Sequence, residues 1–142
     1  MRVQIDLPEY WLFRTTLVVR VGDINYGGHL GNDRVLALAQ EARVRWLAEL
    51  GLSEVDVGGV GLIMADAAVT YHREAFMGDE LQIALGAADV RRSSFDLVFW
   101  FSRLDDGEEI ARVKTGMVCF DYGARKVARL PAGFARCLTR EA

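Results

Sequence analysis

Residues 20–51, RVGDINYGGHLGNDRVLALAQEARVRWLAELG, decide the reading of this chain. Asp23 comes after a β-branched run, Gly27, Gly28 and Gly31 free the backbone, and His29 and Asn32 crowd the approach to a long helical segment. Asn32 with Asp33 reads as an N-cap region, because a short acceptor side chain takes up an orphan amide at a helix start. Beyond it Val35, Leu38, Ala39, Ala42, Trp46 and Leu50 recur at steps of three and four, the period of one apolar helix face. Gly51 supplies the stop.

Working outward, the flanks read as strands. Tyr10–Val21 alternates, with Phe13, Thr15, Leu17, Val19 and Val21 on one parity. If the extension persists through Gly22, Asp23 shares that parity and points inward, where desolvation would raise its pKa and its basicity. After the helix, 53–61 is a Gly- and Asp-rich connection. Strands are then expected over 62–74, 80–90, 95–101 and 109–121. His72, on the outward parity of the first of these, reads as a surface or interface residue. The strand carrying Phe95, Leu97, Phe99 and Phe101 also has Val98 and Trp100 on its other parity, so it wants cover on both faces. Gly116 marks a bulge or a close approach, and 132–140 is a short closing helix.

Composition bounds the rest. The 142 residues fit one domain spanning 1–142, long enough to take roughly 70% of the unfolded surface out of water. An apolar fraction of 51%, with three Trp and seven Phe, points to a buried subunit interface. A net charge of -3 without a basic tail gives no electrostatic footprint for nucleic acid. No segment approaches the roughly 20 apolar residues of a membrane helix, and the N-terminus lacks the pattern of a signal peptide. Cys119 and Cys137 stand far apart with no CxxC, so the expectation is two reduced thiols, no metal, and a cytoplasmic protein. G-x-S-x-G, G-x-x-x-x-G-K-[ST], HExxH and G-x-G-x-x-G are all absent from the sequence, which removes the usual warrant for serine hydrolase, P-loop, zincin and Rossmann readings.

The stretch Asp23-Ile24-Asn25-Tyr26-Gly27-Gly28-His29-Leu30-Gly31-Asn32 resembles the D-x-D-x-x-G-H-V-N-N signature of hotdog-fold acyl-CoA thioesterases related to 4-hydroxybenzoyl-CoA thioesterase. Asp23, Gly28, His29 and Asn32 match; Asn25 replaces the second Asp and Gly31 the first Asn. The likeness continues through Val69-Thr70-Tyr71, Gly78-Asp79-Glu80-Leu81, Arg92-Ser93-Ser94-Phe95 and Val118-Cys119-Phe120-Asp121, ahead of Leu130-Pro131.

The resemblance implies an α+β hotdog fold, a five-stranded antiparallel sheet wrapped around one long central helix. It implies thioester hydrolysis of an acyl-CoA or acyl-carrier-protein substrate, with Asp23 as nucleophile or general base. The amides from Gly28 through His29 and Leu30 to Asn32 lie where a helix start offers unpaired N–H groups to an oxyanion. His29 is a candidate to orient water or Asp23, Asp66 is the reserve acid, and Arg91, Arg92, Ser93 and Ser94 are candidate contacts for the phosphates of coenzyme A. Arg125, Lys126 and Arg129 form a second basic turn. Coenzyme A enters only as part of the substrate, no separate cofactor is expected, and the assembly expected is a homodimer or dimer of dimers. Two alternatives stay open: a hotdog hydratase or dehydratase, and a non-catalytic acyl or acyl-carrier binding module.

Overall fold

The computed structural model describes residues 2–139. Among these residues six strands, two helices and one 3-10 turn occur in chain order: β1 Phe13–Val18, the turn Val21–Asp23, α1 Asn32–Glu49, β2 Gly61–Tyr71, β3 Glu80–Ala88, β4 Ser94–Arg103, β5 Glu109–Asp121, β6 Lys126–Val127 and α2 Ala132–Leu138. All strand pairings are antiparallel, in the order β1-β3-β4-β5-β2, with the two-residue β6 added beside β5. The expected five strands are therefore present, and a short sixth extends them. The expected closing helix ends at Leu138, and Arg140 lies outside the described residues.

The period-3.6 stripe of α1 is buried as read: Val35, Leu38, Ala39, Ala42 and Trp46 face the core. Leu47, not Leu50, closes the stripe, because Leu50 is already the C-cap residue and lies exposed. Gly51 comes next at φ +76°, the left-handed conformation that ends a helix without a Cβ penalty. Opposite the helix, the inner parity of the sheet supplies Leu81, Ile83 and Leu85 from β3, Phe95, Leu97, Phe99 and Phe101 from β4, and Ala111, Val113, Met117 and Cys119 from β5. Each large side chain of this set contributes roughly 1.5–3 kcal/mol by leaving water. α2 closes one end, its Phe134 set edge-on to Phe95 and tilted against Trp46.

β4 is central, and its outer face is covered by the chain's own N-terminal arm. Trp11 stacks on Trp100 at 6.1 Å with planes 10° apart. Pro8 lies over Gly86, where a Cβ would come within 2.6 Å of the proline ring. Arg112 Nη1 donates to the Ile5 carbonyl at 2.8 Å, and Ile5 is itself buried. The connection after α1 is tied down as well: Asp56 Oδ1 accepts the amides of Gly58 and Gly59, and Arg43 pairs with Glu54.

Candidate active site

β1 is shorter than its alternation suggests. It stops at Val18, and the chain then folds into a single 3-10 turn. Val21, on the apolar parity, is 77% exposed, whereas Asp23 is fully covered. The inward direction expected of Asp23 is thus produced by the turn rather than by continued extension.

The carboxylate is held on both oxygens. The Arg20 amide donates to Oδ2 at 2.9 Å, Arg34 Nε donates to Oδ1 at 3.2 Å, and the Arg20 guanidinium lies 3.5 Å from Oδ2. Burial pushes the acid up, but the Arg20 amide and the two guanidinium groups outweigh it and hold the pKa below the ordinary aspartate value. The expected rise is therefore corrected to a fall, because the 3-10 turn folds the Arg20 amide and guanidinium back onto the carboxylate and lets Arg34 reach it, contacts that an extended strand would not make.

The amides ahead of the helix are mostly committed. Gly28 donates to the Asn25 carbonyl at 3.1 Å, Leu30 to the Ala75 carbonyl at 2.8 Å, and Gly31 to the Asp23 carbonyl at 2.9 Å. The His29 amide reaches Asn25 Oδ1 at 3.4 Å, and the same oxygen accepts Gly27 at 2.9 Å. Asn25, in sequence only a departure from the thioesterase pattern, is the organiser of this loop. The N-cap residue is Gly31, with no side-chain cap, and Asn32 is the first helical residue. Among the described residues the amides of Asn32 and Asp33 have no hydrogen-bond partner. These two N–H groups are free donors at the positive end of an 18-residue helix.

Asn32, the first of the two, lines a cleft of about 180 Å³ together with His29, Leu30, Val35, Tyr71, His72, Arg73, Glu74, Ala75 and Ile110. Its lining mixes apolar Leu30, Val35, Ala75 and Ile110 with a few polar side chains, the make-up of a small-molecule site. Tyr71 crosses from the end of β2 to donate its hydroxyl to the Asn32 carbonyl at 2.9 Å, which pins the helix start to the sheet. His29 is at the cleft, with Nδ1 3.4 Å from the Leu30 carbonyl.

Of the other predicted residues, Gly28 shapes the loop at φ +84°, and Asp23 stands behind the cleft without lining it. Asp66 pairs in register with Gly116, on the side of the sheet away from the helix. Beside it Asp96 is raised by burial and by the charges of Asp89 and Asp66, against the pull of Lys114 and Arg91. Arg91, Arg92, Ser93 and Ser94 form the β3–β4 turn, where Arg91 is paired with Asp89 at 3.1 Å and Arg92 is exposed. None of the four lines the cleft. Tyr71, His72, Arg73 and Glu74 are polar lining residues that the sequence did not single out as a site; their signal was a polar run at the end of a strand, too common to carry a role.

A family model described as the thioesterase-like superfamily matches residues 19–138. The chain belongs to this superfamily. A 1,4-dihydroxy-2-naphthoyl-CoA hydrolase of Synechococcus elongatus is 28% identical over 118 residues, covering 80% of this chain and 85% of that protein. A hydrolase of the same name from Prochlorococcus marinus is 28% identical over 96% of this chain and 92% of its own. The crystal structure of a 1,4-dihydroxy-2-naphthoyl-CoA thioesterase from Synechocystis superposes with a TM-score of 0.81 at 25% identity, covering 89% of this chain and 95% of that one. A Staphylococcus aureus protein crystallised with CoA shares the fold, with a TM-score of 0.82 at 17% identity over 96% and 87% of the two chains. The hotdog architecture and the thioester-hydrolase class expected from the sequence are those of the superfamily's named members. No helix among the described residues is long and apolar enough to cross a membrane.

Proposed function

We propose that this superfamily member is an acyl-CoA thioesterase whose reaction takes place in the cleft at the start of α1. The observation that carries the reading is the pair of unpartnered amides at the start of α1, those of Asn32 and Asp33, the first of which lies on a cleft that Leu30, Val35, Ala75 and Ile110 also line. A thioester carbonyl oxygen accepting from them is stabilised as charge builds on it, an effect worth about 10²- to 10³-fold per donor. The names of the relatives favour a hydroxylated aromatic acyl group.

In this reading Asp23 has two supported uses. It is the carboxylate that the thioesterase signature makes nucleophile or base, which requires it to leave Arg34. In its resting geometry it is also a positioning residue, because its carbonyl accepts the Gly31 amide and its carboxylate fixes Arg34 on α1. His29, Gly28 and Leu30 shape the approach, while Asp66 is kept as reserve acid. Arg91 and Arg92, with Ser93 and Ser94, are the proposed contacts for the phosphates of coenzyme A.

The cleft is smaller than the ~300–1,000 Å³ usual for ligand sites. A second subunit that enlarges it fits the open outer edge of β2, the terminal strand of the order, where Met64, Ala65, Asp66 and Ala67 are exposed and, among the described residues, no further strand pairs. We therefore propose a homodimer, alone or doubled, in the cytoplasm. A non-catalytic acyl-binding module is the second reading, favoured by the engagement of both Asp23 oxygens. Thiol release measured over aromatic, short and long acyl-CoA esters tests both: turnover with a preference for aromatic esters is expected, and tight binding without thiol release would overturn catalysis.

A further inference from the structure

His72 sits one residue past the end of β2, where its amide donates to the Ile110 carbonyl at 2.8 Å. There it lines two concavities at once, the cleft at the helix start and a larger groove of about 620 Å³ between the N-terminal arm and the end of β2. Its two ring nitrogens face different partners. Nε2 lies 3.0 Å from Thr70 Oγ1, and Nδ1 lies 3.7 Å from Glu109 Oε1.

Glu109 is not a loose surface acid. Its Oε2 accepts Trp100 Nε1 at 2.6 Å and Arg112 Nε at 2.7 Å, while Arg112 Nη2 stands 3.5 Å from Oε1. Trp100 is in turn stacked under Trp11, and Arg112 is fastened to the Ile5 carbonyl. The arm over the outer face therefore fixes the carboxylate that faces the imidazole. Arg73, paired with Glu108, and Glu74 complete the charged surroundings on the adjoining chain.

We propose that His72 is the general base of the cleft and that Glu109 is its positioning residue; this rests on the thioesterase reading above with Asp23 in its positioning use, and names the group that activates water. A hydroxyl, an imidazole and an ionised carboxylate in this order favour the tautomer with Nδ1–H toward Glu109 and a lone pair on Nε2. The attacking water displaces the Thr70 hydroxyl from the single lone pair of Nε2, and Thr70 Oγ1 then becomes the water's second partner. Its oxygen bonds to the thioester carbon, and its proton passes to Nε2. The oxyanion rests on the Asn32 and Asp33 amides. Collapse re-forms the carbonyl, breaks the carbon–sulfur bond, and returns the proton from Nε2 to the departing thiolate. A carboxylic acid and a free thiol leave, and the imidazole is neutral again.

The test uses the full chain with benzoyl-CoA and 1,4-dihydroxy-2-naphthoyl-CoA as probes. His72 is a surface-accessible side chain, so His72→Gln and His72→Ala are expected to fold. Both lower kcat by about 10²- to 10³-fold with KM little changed. The rising acid limb of the kcat–pH profile disappears, and added imidazole restores turnover to His72→Ala. Glu109→Gln lowers kcat about tenfold without rescue by imidazole, and Glu109→Asp recovers part of the loss. A wild type that releases thiol while His72→Gln keeps its kcat and its acid limb overturns this inference alone; a wild type that releases none from any acyl-CoA removes the thioesterase reading with it.

Discussion

Asp66 on β2 and Gly116 on β5 face each other in register, and the aspartate side chain lies where a Cβ on residue 116 would stand. A bulge between Met64 and Asp66 accompanies this contact, which is how β2 brings a carboxylate flat across its neighbour.

Gly116→Ala is therefore expected to destabilise the fold by roughly 1–2 kcal/mol, as the methyl drives the Asp66 carboxylate off its place. Asp66→Ala alone stays within about 0.5 kcal/mol, the side chain being exposed and without an ion pair among the described residues. In the double variant the clash is gone, and alanine in a strand interior outperforms glycine by roughly 0.5–1 kcal/mol. Urea midpoints of the four proteins give the coupling; additive losses would show that the two residues do not meet.

Phe134 anchors α2 by its edge contact to Phe95, at 5.5 Å between ring centres, and by its tilt against Trp46, at 6.0 Å. A seven-residue helix has little stability of its own, so this docking carries it. Phe134→Ala opens a cavity under Trp46 and is expected to cost about 3–5 kcal/mol. The tryptophan emission of the native protein should shift to the red in the variant, and a midpoint equal to wild type would mean that α2 is not packed as described.

Some of this is legible from the chain and some is not, for identifiable reasons. The α1 stripe from Val35 to Trp46 and the inner parity of β4 are readable, since each repeats an apolar residue at one fixed period. The need for cover over Val98 and Trp100 is readable too, but not that residues 5–11 provide it, because that arm carries no period and its contacts span about a hundred residues. Local reasoning places Asp23 facing inward correctly and assigns its acidity wrongly. The error lies in Arg34: its pairing across eleven residues exists only once the 3-10 turn has formed. Asn25 reads as a mere departure from a motif and His72 as a surface residue, since each acts through one side chain, with no periodicity to mark it.

The two cysteines differ in what burial does to them. Cys119, on the inner face of β5, is pushed by desolvation up to about 11, so almost none of it is thiolate at ordinary pH. Cys137 on α2 is partly accessible. A disulfide reagent at pH 8 should titrate one thiol in the folded protein and two in denaturant. Rapid reaction of both in the native state would mean that the β4–β5 core opens far more readily than its packing implies.

Asp23 makes the join acid-sensitive. Its folded-state pKa lies below the ordinary aspartate value, so the unfolded chain takes up a proton before the folded one does. The stability it contributes is complete above the unfolded value and is lost as pH falls through the folded one. Asp23→Asn keeps the shape but leaves Arg34 without its anion, a loss of about 1–3 kcal/mol near neutrality. Below about pH 4 the gap between wild type and variant should begin to narrow, because the unfolded wild-type chain then takes up the proton that the folded carboxylate still resists. Denaturant melts at pH 7, 5 and 3 read this directly, and a gap that stays constant across the three would mean that the carboxylate is not held by Arg20 and Arg34 in solution. The same variant separates the two uses of Asp23 in turnover. If it positions the helix start, kcat falls in step with the loss of order at Gly31 and is recovered by stabilising conditions such as added osmolyte; if it attacks the thioester, kcat stays down however stable the protein is made.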